Sequence, residues 1–85
     1  MSWRVQLADR ARRELERLPR RDRQRILGAL ASMQQDPFSG DIARLHGQPL
    51  TWRRRVGSYR IFFDIHREAR LIDILEIARR ASTTY

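Results

Sequence analysis

W-R-R-R-V-G-S-Y-R-I-F-F-D-I, residues 52 to 65, is the stretch whose reading decides the fold. Gly57-Ser58 divides it into two runs rich in β-branched and aromatic residues, so it reads as an antiparallel hairpin with strands over 52 to 56 and 59 to 65. Side chains alternate between the two faces of a strand. Trp52, Arg54 and Val56 therefore share one side of the first strand, and Tyr59, Ile61, Phe63 and Ile65 form the apolar set of the second. That is the core side, and Arg54 is expected to escape it by reaching around to solvent. Arg53, Arg55 and Arg60 project together on the other face, with Phe62 and Asp64. Neighbouring strands lie only about 5 Å apart. Three cations held there repel one another, and an anion is expected to fill the space between them.

Outward from the hairpin, residues 70 to 78 read as a third strand after a turn at 66 to 69, completing an antiparallel meander. Upstream, W-R-V-Q-L at 3 to 7 alternates as a short strand, and Asp9 is a candidate helix N-cap. Ala11, Leu15 and Leu18 recur at helical spacing until Pro19 stops the helix. A second helix spans about 21 to 35, with Ile26, Leu27, Leu30 and Met33 as its apolar stripe and Asp36-Pro37 as its end. Helical arginines such as Arg10 are expected on solvated faces with partners one turn away, here Glu14. Residues 36 to 50 read as a loop. The order β-α-α-β-β-β implies an α+β fold, a helical hairpin packed on one face of an antiparallel sheet, with residues 1 to 85 as a single domain.

The chain has 85 residues, and its 18 basic against 10 acidic groups leave a net charge of +8. Such a protein seeks a polyanion, and nucleic acid is the commonest in a cell. Every basic residue is arginine, whose planar fork grips phosphate bidentately. Without cysteine there is no disulfide framework and no thiolate metal site, and two isolated histidines do not build one, so no metal and no cofactor are expected. No apolar run approaches the roughly 18 residues of a membrane span, and no signal peptide is visible, so a soluble, cytoplasmic protein with no membrane partner is expected.

The helical hairpin with L-P-R at 18 to 20, R-L-H-G at 44 to 47, the arginine-rich hairpin, and the closing I-A-R-R-A-S-T-T-Y at 77 to 85 carry a resemblance. Over nearly its whole length the chain resembles the RelE branch of the RelE/ParE toxin superfamily. The resemblance implies the toxin of a type II toxin–antitoxin system, an endoribonuclease that cuts messenger RNA in the ribosomal A site and is held inactive by an acidic, RelB-like antitoxin. It also implies the site. Arg53 and Arg55 fall where RelE toxins carry two lysines, Arg60 on the hairpin arginine, Arg79 on the arginine after the last strand, and Tyr85 on the catalytic tyrosine. The implied catalytic set is Arg55, Arg60, Arg79 and Tyr85, with Arg53, Arg54 and Arg80 binding RNA.

Cleavage of RNA by its own 2′-hydroxyl needs that oxygen deprotonated, the 5′-oxygen protonated, and a dianionic phosphorane stabilised between them. Arg60 and Arg79 suit the last task, because charge-assisted hydrogen bonds strengthen as charge develops. Tyr85 offers a ring for stacking and a phenol to orient the 2′-hydroxyl. Arginine stays protonated, so Arg55 is a poor general base where a lysine could be one: either Tyr85 or a ribosomal RNA group takes that part, or the reaction relies on positioning and electrostatics with a slower turnover, or the protein binds RNA and cuts weakly. His46 and His66 read as turn residues, and Glu76 and Asp73 as salt-bridge partners of helix or sheet arginines. Two other functions remain open: a ParE-like inhibitor of DNA gyrase without nuclease activity, and a basic domain that only binds nucleic acid or a partner protein.

Overall fold

The computed structural model describes residues 2–79. Strand β1 (Arg4–Leu7) leads into helices α1 (Asp9–Glu16) and α2 (Arg20–Gln35), followed by strands β2 (Asp41–Arg44), β3 (Thr51–Val56), β4 (Tyr59–His66) and β5 (Leu71–Arg79). They form one five-stranded sheet in the order β1-β5-β4-β3-β2. The α+β architecture and the meander stand as expected, with two differences. The segment read as a loop contains β2, which pairs antiparallel with β3. Four residues with little alternation become a strand only because β3 offers them a ladder. The sheet is also mixed, because β1 runs parallel to β5, with the α1–α2 crossover and the meander between them.

The expected boundaries hold to within one or two residues, but the helix starts differ in chemistry. Ala8, not Asp9, is the N-cap of α1, and no side chain bonds to the open amides there. Asp9 instead accepts from Arg12 Nη2 at 3.1 Å. Pro19 separates the helices and is the N-cap of α2. At the β3–β4 turn Gly57 has φ 57°, which a type II′ turn requires at its first central position.

The core lies between the helices and one face of the sheet. Phe63, Ile61, Ile72, Ile74, Ile26 and Met33 are buried, with Ala11 and Leu15 from α1 and Tyr59, Ile65 and Ile77 from the strands. Along β5 the buried residues are Ile72, Ile74 and Ile77, a spacing that strict alternation forbids. A β-bulge resolves it: Phe63 pairs with Ile74 but Phe62 with Glu76, leaving Leu75 as an extra residue. Beyond the bulge β1 has ended, and α1 takes its place beside β5. There the Ile77 amide donates to Glu14 Oε1 at 2.8 Å, and Arg10 binds both Glu14 (3.2 Å) and Glu76 (3.1 Å).

Candidate nucleic-acid interface

The sheet face away from the helices carries the arginines. Arg55 of β3 lies directly opposite Arg60 of β4, with Asp41 of β2 on one flank and Ala78 of β5 on the other. In the next row Ala43, Arg53, Phe62 and Glu76 lie side by side, and beyond it come Thr51, Asp64 and Asp73. Arg53, Arg55 and Arg60 are thus brought together as expected. Of the carboxylates on this face, only Asp41 forms an ion pair with them among the described residues. Asp41 approaches Arg55 at 3.7 Å in an exposed pair, a contact of small worth. Asp64 accepts from Thr51 Oγ1, and Glu76 is held by Arg10. Arg53 Nη1 and Arg60 Nε are buried yet have no hydrogen-bond partner among the described residues. A buried guanidinium N–H left empty costs about 1–3 kcal/mol or more.

Asp41, Asp73 and Glu76 join Asp64 on this face, so the sequence reading undercounted its carboxylates. Asp41 was hidden in the segment read as a loop, and Glu76 turns to this face only because of the bulge. The salt bridge expected of Glu76 is present, to Arg10.

Arg54 departs from expectation. It does not reach round to solvent but turns inward against α2, where Nη1 donates to Ser32 Oγ at 2.9 Å and to the Ala29 carbonyl at 3.4 Å. Burial pulls its guanidinium below the ordinary arginine value. Gly40 makes room for it: a Cβ there would stand 2.8 Å from Arg54 Nε, at a backbone with φ 82°. Arg54 thus ties β3 to the helix, on the side opposite Arg53 and Arg55.

Arg79 also differs. It is the last residue of β5 and pairs with Tyr59, whereas Arg60 pairs with Ala78. The bulge has shifted the alternation, so Arg79 belongs to the row of Tyr59 on the helix side of the sheet and does not share the face of Arg60. Tyr59 itself donates to Asp22 Oδ2 at 2.8 Å. That hydrogen bond, with burial and the charge of Asp22, raises the Tyr59 phenol above its usual value, while Arg79 pulls in the other direction. The sign of the stability effect follows. Unfolded tyrosine loses its proton near pH 10.0 and the folded one above it, so the stabilisation is whole below that value and is lost as pH rises through the folded value. Tyr59→Phe should therefore lower the urea midpoint at neutral pH, and the difference from the parent should shrink in strongly alkaline buffer.

His46 is exposed in the turn between β2 and β3, at the end of β3 far from Arg55. A surface hollow lined by Arg44 to Pro49 in that turn is likewise remote from the arginine rows. Arg80 and Tyr85 lie outside the described residues.

The model of the ParE toxin of type II toxin–antitoxin systems matches residues 5–83. The chain belongs to the ParE toxin family. Solved structures place this toxin within the wider RelE/ParE superfamily. It is similar to a chain of the archaeal RelE–RelB complex from Pyrococcus horikoshii OT3, with 24% identity, a TM-score of 0.84, and coverage of 98% of this chain and 100% of that one. It is similar to a chain of the RelBE2 toxin–antitoxin complex from Mycobacterium tuberculosis, with 26% identity, a TM-score of 0.83, and coverage of 94% and 100%. The isolated E. coli RelE toxin gives 15% identity and a TM-score of 0.83 over 96% of this chain and 88% of that one, a likeness of fold alone. No curated protein matches by sequence. None of the described helices is long and apolar enough to cross a membrane.

Proposed function

We propose that this toxin is a ribosome-dependent endoribonuclease that holds the scissile region of a messenger RNA on the face of Arg53, Arg55 and Arg60. The observation that carries this reading is the pair of buried guanidinium N–H groups on Arg53 and Arg60 that have no partner among the described residues, beside an Arg55–Arg60 pair whose near counter-charge is the exposed Asp41. A phosphate satisfies all of these at once. In the reaction the 2′-hydroxyl attacks the neighbouring phosphorus and the 5′-oxygen leaves. Arg60 stabilises the phosphorane, with Arg79 contributing from the end of β5, one residue beyond the Ala78 that faces Arg60. Tyr85 orients the 2′-hydroxyl, and Arg80 adds to the RNA contacts. Arg54 supports this surface from behind by fixing β3 to α2.

A second reading, inhibition of DNA gyrase without nuclease activity, is favoured by one observation: the family model that matches is that of the ParE toxin. Primer extension on a translated message, run beside a gyrase supercoiling assay, separates the two. New 5′ ends within codons support the nuclease, and loss of supercoiling with an intact message supports the inhibitor. In either case the partner is an acidic antitoxin, by analogy with the RelB chains in the complexes of the archaeal and mycobacterial relatives.

Charge carries a separate expectation. RNA affinity should fall steeply with salt, and each single-strand phosphate contact adds about 0.7 to the slope of log K against log salt. Arg53→Ala with Arg55→Ala should therefore flatten that slope by up to about 1.4. Fluorescence anisotropy between low and moderate salt measures it, and an unchanged slope would move the binding surface to the helices.

A further inference from the structure

Six of the described residues are Phe, Trp or Tyr: Trp3, Phe38, Trp52, Tyr59, Phe62 and Phe63. Tyr59 and Phe63 are buried in the core, and Trp3, Phe38 and Trp52 pack against it. Phe62 alone takes no part in it. Its ring lies half-buried on the open face, directly between Arg53 on β3 and Glu76 on β5. Along its own strand Arg60 is two residues away on one side and Asp64 two residues away on the other, each about 7 Å distant at the strand rise.

The chemistry of these neighbours runs in order along the face. At the β3–β4 turn stand Arg55 and Arg60; then come Arg53 and Phe62; then Asp64, with Asp73 directly opposite it. Cations, an aromatic ring and a pair of carboxylates thus follow one another within a few residues. Of the three buried guanidinium nitrogens without a partner among the described residues, Arg54 Nε lies on the helix side, and Arg53 Nη1 and Arg60 Nε come from the two arginines nearest the ring. The carboxylate that could neutralise Arg53 from β5, Glu76, is already held by Arg10 at 3.1 Å.

We propose that Phe62 is the platform on which one unpaired RNA base stacks while its adjoining phosphate sits on Arg53 and Arg60. This rests on the RNA substrate proposed above. Every base has a π-face, so a bare phenyl ring gives affinity without reading sequence. The Asp64–Asp73 pair repels a further phosphate along the strands, so the face accommodates one nucleotide in one orientation rather than a continuous track. Phe62 is thereby a substrate-positioning group distinct from the arginines, because it acts on the base and not on the phosphate.

The test uses the full-length toxin and two short strands of equal length and charge: a non-cleavable 2′-O-methyl oligoribonucleotide, and an abasic strand. Anisotropy titrations should show the base-bearing strand bound about tenfold more tightly than the abasic one. Phe62→Leu should abolish that margin without changing the affinity for the abasic strand, and Phe62→Tyr, which keeps a ring, should preserve it. Equal affinity of the unsubstituted toxin for the two strands overturns the proposal whether or not the leucine variant folds. Salt-sensitive binding that Phe62→Leu leaves intact on both strands overturns the stacking role and leaves the phosphate surface standing. Absence of any salt-sensitive binding removes the RNA reading itself, and this inference with it.

Discussion

Arg60→Ala should cut the single-turnover rate of cleavage of a ribosome-bound message about a hundredfold or more, and should do so without weakening the fold. Removing one preorganised donor from a developing oxyanion costs about 2.7–4 kcal/mol of transition-state stabilisation. Arg60 is placed for that role by the register, which sets it opposite Arg55 with its Nε buried and unpartnered. The same register makes the stability outcome specific. Two guanidinium groups directly opposite one another on adjacent strands repel, so the alanine variant should melt at the same temperature as the parent or slightly higher. A large loss of rate with an unchanged or raised melting temperature is therefore the expected signature. A wild-type rate after this substitution would remove Arg60 from the catalytic group. Arg79→Ala should have the smaller effect of the two, since Arg79 stands in the row of Tyr59 on the other side of the sheet.

Phe63→Ala should be the most damaging substitution to the fold. Phe63 is fully buried, at 0% exposure, in the middle of the central strand β4. Truncating a buried phenylalanine costs about 3–5 kcal/mol in lost transfer energy and cavity. A domain of this length holds only about 4–13 kcal/mol in all, at roughly 0.05–0.15 kcal/mol per residue. The urea midpoint should fall by a large fraction, and the variant should be partly unfolded at body temperature. The adjacent Phe62→Leu should shift the midpoint little, because that ring is not part of the core. Two neighbouring phenylalanines thus separate stability from binding, and equal loss from both would contradict the assignment of faces.

The meander and the sorting of its side chains were legible in the sequence because strand alternation is local. Arg53, Arg55 and Arg60 reach their common face through nothing more than period-two spacing around a glycine turn. Strand β2 was not legible, since D-I-A-R has too little pattern of its own and owes its form to β3. The parallel pairing of β1 with β5 was hidden for a similar reason: no residue in W-R-V-Q-L specifies which distant strand it will join. Arg54 was misjudged in path because its partners, Ser32 and the Ala29 carbonyl, lie on a helix more than twenty residues away. Burying an arginine there is possible only because Gly40 leaves the space. The place of Arg79 depended on the bulge, which spacing alone signals only weakly, through isoleucines at 72, 74 and 77.

The extra residue at Leu75 makes the pairing register itself a determinant of surface charge. Up to Ile74 an even step along β5 preserves the side of the sheet; across Leu75 it reverses it. Deleting that one residue would leave a regular ladder with every remaining side chain on its present side, whereas keeping it and pairing it into an unbulged ladder would exchange the parity of everything after it. In that unbulged register Ile77 would be driven out of the core, Ala78 into it, and Arg79 onto the side of Arg60, adding a further cation to the open surface with no substitution at any charged position. Two toxins of this family can thus carry the same arginine at the same distance from the hairpin and present it to opposite sides, according to whether the strand bears the bulge.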